Sequence, residues 1–230
     1  DMAIVIGGDG TMLATARRLA ASAVPLVGIN QGRLGFMTDI ARDEMTERIG
    51  ELLDGRYRRE TRILLEAAVR RDGRLIDQAL ALNDVVLNKG DAGRMIEFEV
   101  TIDGEFIYNQ RSDGFIVATP TGSTAYNMAA GGPIVIPGQA AMTLTPICTH
   151  SLTNRPLVVP ARSTIRITLG ADIRGVVLTV DGQWAHSFVH GDVVEMTAAP
   201  VPLLIFASRQ SFFDVMRDKL HWGLRSDLPR

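Results

Sequence analysis

The chain has a single cysteine, Cys148, among 230 residues. That excludes an internal disulfide framework and a multi-cysteine zinc site. The residue is expected to be a small buried apolar side chain in a protein of a reducing compartment. An excess of either charge is also missing: 24 Lys and Arg stand against 26 Asp and Glu, a formal net charge of −2. No global positive field exists to hold a nucleic acid or an anionic membrane, so neither is expected as a partner. No apolar run nears the roughly 20 residues of a membrane-spanning helix, and no signal-peptide pattern is present, so a cytoplasmic location is expected. Histidine is scarce too, with four in the chain. His186 and His190 have i, i+4 spacing but lie in a β-reading stretch without the Glu of a zinc-protease motif. They are read as structural, and no metal-ligating residue is assigned.

What is present falls into two textures. "AIVI" is a short β-branched run stopped by glycines, and "TMLATARRLAASA" after it places Met12, Ala16, Leu19 and Ala20 on one helical face. "PLVGIN" reads as a second buried strand, and Met45, Ile49, Leu52 and Leu53 repeat at helical spacing before Gly55. Residues 1–59 therefore read as a parallel α/β domain. From Arg62 onward the apolar runs are short and β-rich, punctuated by Asp72-Gly73, Asp103-Gly104 and Asp181-Gly182, each a strong hairpin signal. Residues 60–207 read as an antiparallel, β-sandwich-like domain. In residues 208–230 helical spacing returns through Phe213, Met216 and Leu220, and this tail is expected to pack back on the first domain. The predicted fold class is α/β plus all-β.

"IVIGGDGTML", residues 4–13, sets an acid among three glycines directly after a strand. The loop has no third glycine of a dinucleotide fingerprint and no Gly-Lys-Ser/Thr, so the standard nucleotide motifs are absent. A plain strand-to-helix turn and a phosphate-handling loop both remain open. On the second reading Gly7, Gly8 and Gly10 let backbone N–H groups approach a phosphate, and Thr11 sits near the helix start. Asp9 needs a task there, because a carboxylate facing phosphates is unfavourable: it holds a metal or takes a proton from an attacking hydroxyl, as in a kinase.

Residues 111–133, "RSDGFIVATPTGSTAYNMAAGGP", combine Asp113 with a turn carrying Thr119, Thr121, Ser123, Thr124 and Tyr126. Such a run of hydroxyls suits an anionic or heavily hydroxylated ligand, and an elaborate helix cap by Ser123 or Thr124 is the alternative. No Gly-x-Ser-x-Gly occurs there, which disfavours a serine-hydrolase elbow. In "LNDVVLNKG", Asn83 and Asp84 supply the donors and acceptors that grip a ribose diol, although Asn-Asp is also ordinary turn chemistry.

Taken in order, "GGDGT" (7–11), "INQGRLGFM" (29–37), "NDVVLNKG" (83–90), "SDGFIVATPTGSTAYNMAAGGP" (112–133), "TPICTHSLTNRPLVVP" (145–160) and "DGQ" (181–183) resemble the NAD kinase family. The first motif is shared with diacylglycerol, sphingosine and phosphofructokinase-type kinases; the long central one singles out NAD kinases. The resemblance implies an N-terminal α/β nucleotide-binding domain and a C-terminal NAD-binding β domain. It implies transfer of the γ-phosphoryl of ATP, with a divalent cation such as Mg²⁺ bound through the ATP phosphates, to the 2′-hydroxyl of the adenosine ribose in NAD. Homodimers or homotetramers are implied as well.

By the same resemblance Asp9 is the proton acceptor, and Gly7, Gly8, Gly10 and Thr11 form the triphosphate cradle. Asn83 and Asp84 hold dinucleotide hydroxyls. Asp113, Thr124, Ala125 and Tyr126 contact the base and nicotinamide parts, with Asn127, Met128 and Ala129 lining the same turn. Arg94 and Arg111 are cationic NAD contacts, and Gln183 belongs to the "DGQ" turn. Family members carry a strand-helix-strand stretch ahead of the glycine loop, so a chain truncated at its N-terminus is expected. A lipid kinase of the diacylglycerol type and a catalytically silent NAD(P) sensor are the alternatives.

Overall fold

A computed structural model describes residues 2–32, 35–38, 40–90, 95–151, 153–170, 174–206 and 210–221. The chain forms two compact units. The first comprises Asp1–Thr15, Val24–Glu60 and Leu204–Arg230, and the second comprises Ala16–Ala23 and Thr61–Leu203.

The first unit is built on a four-stranded sheet. Strand β1 (Ala3–Gly7) leads through Gly8 into helix α1 (Asp9–Leu19), and β2 (Leu26–Asn30) returns beside β1 in parallel, Ala3 opposite Leu26 and Gly7 opposite Asn30. This is the strand-glycine-helix-strand unit that the apolar spacing predicts. Every residue of β2 is buried, as a central parallel strand requires. Helix α2 (Met45–Leu53) follows a 3₁₀ turn at Arg42–Glu44 and stops at Gly55, whose φ of 76° is the left-handed conformation that glycine adopts without strain.

Strand β3 (Arg59–Arg62) closes the sheet at one edge. The late strand β16 (Leu203–Phe206) inserts between β2 and β3, parallel to β2. In the tail, α4 (Phe212–Leu220) starts on a reciprocal cap in which Ser211 Oγ accepts from the Asp214 N–H while Asp214 accepts from the Ser211 N–H. Its buried residues are Val215 and Met216; Phe213, expected on the inner face, is exposed.

The second unit holds twelve further strands: β4 (Leu65–Arg71), β5 (Arg74–Ala81), β6 (Asp84–Asn88), β7 (Ile96–Ile102), β8 (Glu105–Ser112), β9 (Gly114–Ala118), β10 (Ala141–Ile147), β11 (Leu157–Pro160), β12 (Ile165–Leu169), β13 (Val176–Val180), β14 (Trp184–Phe188) and β15 (Asp192–Ala198). They form two antiparallel six-stranded sheets, β11-β10-β9-β6-β13-β14 and β5-β4-β15-β12-β7-β8. Burial alternates along β7, β12 and β15, so one face of that sheet turns inward. The inward residues meet those of the other sheet in one core that includes Val69, Phe98, Val117, Leu144, Ile167 and Leu178. A β-sandwich is the result. Strands β6 and β9 are also covered outside, where Val86, Ile116 and Ala118 pack with Ala130 and Ile147.

The three Asp-Gly pairs are hairpin turns as the sequence indicates. Asp72, Gly73, Asp103, Gly104, Asp181 and Gly182 have φ between 50° and 83°, the double positive φ of a type I′ turn, and join β4 to β5, β7 to β8 and β13 to β14. One sequence expectation is corrected. Cys148 is exposed and sits at φ 48° just past β10, where the chain leaves the sheet and the side chain points out. His186 is held in the sandwich, its Nδ1 2.9 Å from Asp77 Oδ2 and its ring stacked on Trp184.

Phe115 is fully buried and packs edge-to-face on Phe98 and Tyr108, with ring centroids 5.4 and 6.5 Å away. Phe115→Ala is expected to destabilise the chain by about 3–5 kcal/mol. Urea unfolding followed by fluorescence or circular dichroism measures this, and a loss under about 1 kcal/mol would contradict the packing described.

Candidate active site

Asp9 occupies the first turn of α1, where the unpaired N–H groups of a helix start favour an acid. The Thr11 and Met12 N–H groups both bond the Gly8 carbonyl, at 3.0 and 3.1 Å, which sets Gly8 at the helix entry. None of Gly7, Gly8 or Gly10 has positive φ, so the glycines are not there to turn the chain. A Cβ on Gly8 would meet no atom of the described residues within 4 Å beyond its chain neighbours, so the missing side chain leaves bare backbone. That is what close approach of a ligand needs. Thr11 is exposed beside it.

The Asp9 carboxylate is gripped by the loop after β2. Oδ2 accepts the Phe36 N–H at 2.8 Å; Oδ1 accepts the Met37 N–H at 3.1 Å, the Thr38 N–H at 3.2 Å and the Thr38 hydroxyl at 3.1 Å. Thr38 is wholly buried. The loop's "GFM" lies in one of the motifs that carry the family resemblance; the contribution of Thr38 was not visible, because nothing in linear order says that residue 38 folds back on residue 9.

In the sandwich, register brings three motifs to one place. Asp84 pairs with Ala118 and Val85 with Val180, so the start of β6 and the ends of β9 and β13 coincide. Asn83 and Asp84, the turn from Thr119, and Asp181 to Gln183 thus meet at one end of one sheet. Asp181 joins them: Oδ1 accepts the N–H groups of Asn83 (2.8 Å) and Asp84 (3.2 Å), and Oδ2 that of Leu82 (3.0 Å) and Nη1 of Arg17 (2.8 Å). Arg17 Nη2 also donates to Gln183 Oε1 at 2.6 Å. The Asp-Gly turn identifies Asp181 as a hairpin residue, while its partnership with Arg17 spans 164 positions and leaves no local signal.

Asn83 Oδ1 is buried with no hydrogen-bond partner among the described residues. A buried acceptor left open costs stability unless something supplies a donor, and a hydroxyl or amine is the kind of group that fits it. The neighbouring Asp84 is buried, and desolvation, reinforced by the charge of Asp181, pushes its carboxyl up to about 7.

The hydroxyl-rich turn is more structural than its composition implies. Thr119 Oγ1 donates to the Leu82 carbonyl and accepts from the Gly122 N–H; Ser123 Oγ bonds Pro120 and Val135; Thr124 Oγ1 donates to the Thr121 carbonyl at 3.4 Å. Neither Ser123 nor Thr124 caps a helix. A Cβ on Gly122 would lie 2.1 Å from the Asn83 carbonyl oxygen, so only glycine lets this turn press on the Asn83 backbone. Tyr126 opens the four-residue helix α3 (Tyr126–Ala129) and is exposed, with Ala125 just before it.

Asn127 lines the turn with its side chain spent inside the fold. Its Nδ2 donates to the Ser123 and Pro133 carbonyls and its Oδ1 accepts from the Thr143 and Thr145 hydroxyls, which uses its whole hydrogen-bonding capacity inside the fold. It is a strut between the turn and β10. Met128 and Ala129 complete α3.

Asp113 does not join this cluster. It precedes β9, at the opposite end of that five-residue strand from Thr119, roughly 20 Å away along the chain direction. There it accepts from Lys89 Nζ at 2.8 Å. Arg111 is close in sequence and exposed, with Glu97 at 3.8 Å. Arg94 lies outside the described residues.

The raised Asp84 carboxyl sets a pH dependence. A carboxyl whose folded value lies above its unfolded value of about 4 contributes stability that is present below about pH 4 and lost as pH rises through about 7. Asp84→Asn mimics the protonated form, so it is expected to match the parent near pH 3 and to gain on it as pH rises, most of all near pH 8. Urea midpoints for both chains across this range test it; equal pH slopes would refute it.

The residues match known protein families. Residues 1–57 fit the ATP-NAD kinase N-terminal domain and residues 82–207 the ATP-NAD kinase C-terminal domain. The chain is 54% identical over 226 residues to the NAD kinase of Aromatoleum aromaticum, covering 97% of this chain and 74% of that protein. It is 50% identical to the NAD kinase of Thiobacillus denitrificans over 97% of this chain and 77% of that one. Among solved structures, the yeast NADH kinase complexed with NADH superposes with a TM-score of 0.93 at 31% identity, covering 100% of this chain and 68% of that one. The Archaeoglobus fulgidus NAD kinase in complex with ATP gives 0.81 at 27% identity, covering 94% and 81%. With both family domains matched in order and half of the residues shared with these bacterial enzymes, the chain belongs to the NAD kinase family.

Proposed function

We propose that the chain phosphorylates NAD, transferring the γ-phosphoryl group of ATP in the presence of a divalent cation to the 2′-hydroxyl of the adenosine ribose and yielding NADP. The observation that carries this reading is Asp9, an acid fixed by four donors beside a bare-backbone helix start. In this position it accepts the proton of the 2′-hydroxyl as that oxygen bonds to phosphorus, while the bond from the γ-phosphorus to the bridging oxygen breaks and ADP departs. Phosphoryl transfer asks the protein mainly for positioning and charge stabilisation, and a positioned base adds to both.

The other roles follow from chemistry and resemblance. Gly7, Gly8, Gly10 and Thr11 offer backbone and hydroxyl donors to the triphosphate. The open acceptor of Asn83, with Asp84 beside it, receives dinucleotide hydroxyls. Thr124, Ala125 and Tyr126 line the base, with Met128 and Ala129 behind them and Asn127 as the strut that shapes the turn. Gln183, held by Arg17, borders the same end of the sheet. Asp113 and Arg111 at the far end of β9, and Arg94, address a separate part of the dinucleotide.

Among the described residues no group of three His, Cys, Asp or Glu comes together as a metal site. The cation, Mg²⁺ on this reading, is carried by the triphosphate, in keeping with its reluctance to shed water for an all-protein cage. The first unit, which takes in strand β16 as well as the tail, serves as the nucleotide domain, and the β-sandwich serves as the NAD domain; the sequence boundary at residue 207 moves back to about residue 203. The working form is a cytoplasmic homodimer or homotetramer that engages neither membrane nor nucleic acid. No helix among the described residues is long and apolar enough to cross a membrane.

Incubation of the full chain with ATP, Mg²⁺ and NAD is expected to produce NADP; phosphorylation of a lipid or sugar with no NADP would overturn the reading. Asp9→Asn is expected to lower kcat by about a hundredfold or more while NAD affinity stays within a few-fold. Turnover at the parental rate in that variant would remove Asp9 from its role.

A further inference from the structure

The four donors on Asp9 are unevenly shared. Oδ1 accepts three, from Met37 N, Thr38 N and Thr38 Oγ1, whereas Oδ2 accepts one, from Phe36 N. A carboxylate oxygen has two lone-pair directions, so among the described residues Oδ1 is saturated and Oδ2 keeps one open. The two oxygens are chemically alike until the loop distinguishes them.

The proton that Thr38 gives to Oδ1 has no other destination. Asn30 Nδ2 lies 2.9 Å from Thr38 Oγ1, and an amide NH₂ only donates, so the hydroxyl accepts from Asn30 and its single proton turns to Asp9. The amide is oriented in turn. Asn30 Oδ1 accepts the Gly32 N–H at 2.6 Å, which fixes the oxygen end, and Nδ2 donates also to the Thr38 carbonyl at 3.2 Å. The chain Asn30 to Thr38 to Asp9 is thus directional from end to end. It is also dry: Asn30 is 3% exposed and Thr38 0%.

Two glycines leave the room for it. A Cβ on Gly35 would lie 1.9 Å from Asp9 Oδ1 and 2.5 Å from Thr38 Oγ1, and a Cβ on Gly28 would lie 2.8 Å from the Met37 carbonyl oxygen. Backbone is packed around the carboxylate more tightly than a turn alone requires.

We propose that Thr38 and Asn30 are positioning residues for phosphoryl transfer, clamping Oδ1 of Asp9 so that Oδ2 is the atom that takes the 2′-hydroxyl proton. The proposal rests on the reading of Asp9 as proton acceptor. A carboxylate on its own rotates broadly about its terminal torsion, and the clamp holds it in one orientation before substrate arrives. The contribution therefore falls on the chemical step and not on NAD binding.

The test is steady-state kinetics on the full chain with ATP, Mg²⁺ and NAD. Thr38→Val and Thr38→Ala are expected to lower kcat by roughly ten- to a hundredfold with KM for NAD within about twofold, and Thr38→Ser to restore kcat to within about threefold of the parent. Melting temperatures accompany each variant. Should Thr38→Val fail to fold, the comparison of Thr38→Ser with Thr38→Ala reads the hydroxyl alone, since both lack the methyl group. Parental kcat in Thr38→Val or Thr38→Ala, a Thr38→Ser as slow as Thr38→Ala, or a loss confined to KM overturns the proposal. Asp9→Asn in parallel separates the two claims: an active Asp9→Asn sinks the base assignment itself, whereas an inactive Asp9→Asn beside a normal Thr38→Ala sinks only the clamp.

Discussion

Asp181 is a carboxylate with no side-chain exposure, and the end of the sandwich where Asn83, Asp84 and the turn from Thr119 meet depends on it. It takes two donors on each oxygen: three consecutive backbone N–H groups from Leu82 to Asp84 and the guanidinium of Arg17. A buried anion without such partners would cost several kcal/mol, so the segment carrying Asn83 and Asp84 must follow its shape. The Asp-Gly hairpin turn that ends β13 supplies the anion, and the start of β6 supplies the donors. Strand register then brings the turn from Thr119 alongside, with its Thr119 N–H on the Asn83 carbonyl at 2.8 Å. Remove the carboxylate and the three motifs lose the group that joins them.

Asp9 repeats the device with one difference. It too is held by successive backbone N–H groups, here of residues 36 to 38, but three donors fall on one oxygen and one on the other. The symmetric arrangement at Asp181 uses every lone pair and makes a structural anchor. The asymmetric one at Asp9 leaves an acceptor site on a half-buried residue. Two aspartates in Asp-Gly dipeptides, alike to the eye in a linear sequence, thus differ in how their donors are shared, which on the proposed function separates a structural anchor from a proton acceptor.

Much of the fold was legible because the signals are local and physically strict. Type I′ turns demand positive φ at two successive positions, so Asp-Gly between alternating apolar runs left few other readings, and all three became hairpins. The α/β half was legible from a strand ended by glycines and a helix with a 3.6-residue apolar repeat. Exposure was harder to read than position: Cys148 was expected inside and is outside because the chain turns left-handed there, and Phe213 gives way to Val215 and Met216 on the inner face of its helix. Of the site, the motifs were visible but the division of labour within them was not. Hydroxyls at Thr119 and Ser123 and the amide of Asn127 satisfy carbonyls that only the folded chain brings near. Asp113 shares a motif with Tyr126 yet lies at the other end of β9, since a strand carries its two ends apart however closely the letters follow one another. Thr38, Asn30 and Arg17 were missed because their partners are 8 to 164 residues away.

On the proposed function the glycine loop takes a triphosphate, and the cost of an acid there accounts for the extent of the grip on Asp9. A carboxylate beside a triphosphate raises the energy of the loaded site through like-charge repulsion, and a water-exposed, freely rotating one would turn away from the phosphates or recruit counterions. Three backbone dipoles, one hydroxyl and the helix start oppose both outcomes, because they stabilise the negative charge where it stands and fix its direction before substrate arrives. The same donors could have been placed evenly, as at Asp181, and the acid would then have been stable and inert. On the proposed function, placing them unevenly retains one lone pair for a proton, and Gly28 and Gly35 are the positions at which the backbone makes room for that arrangement.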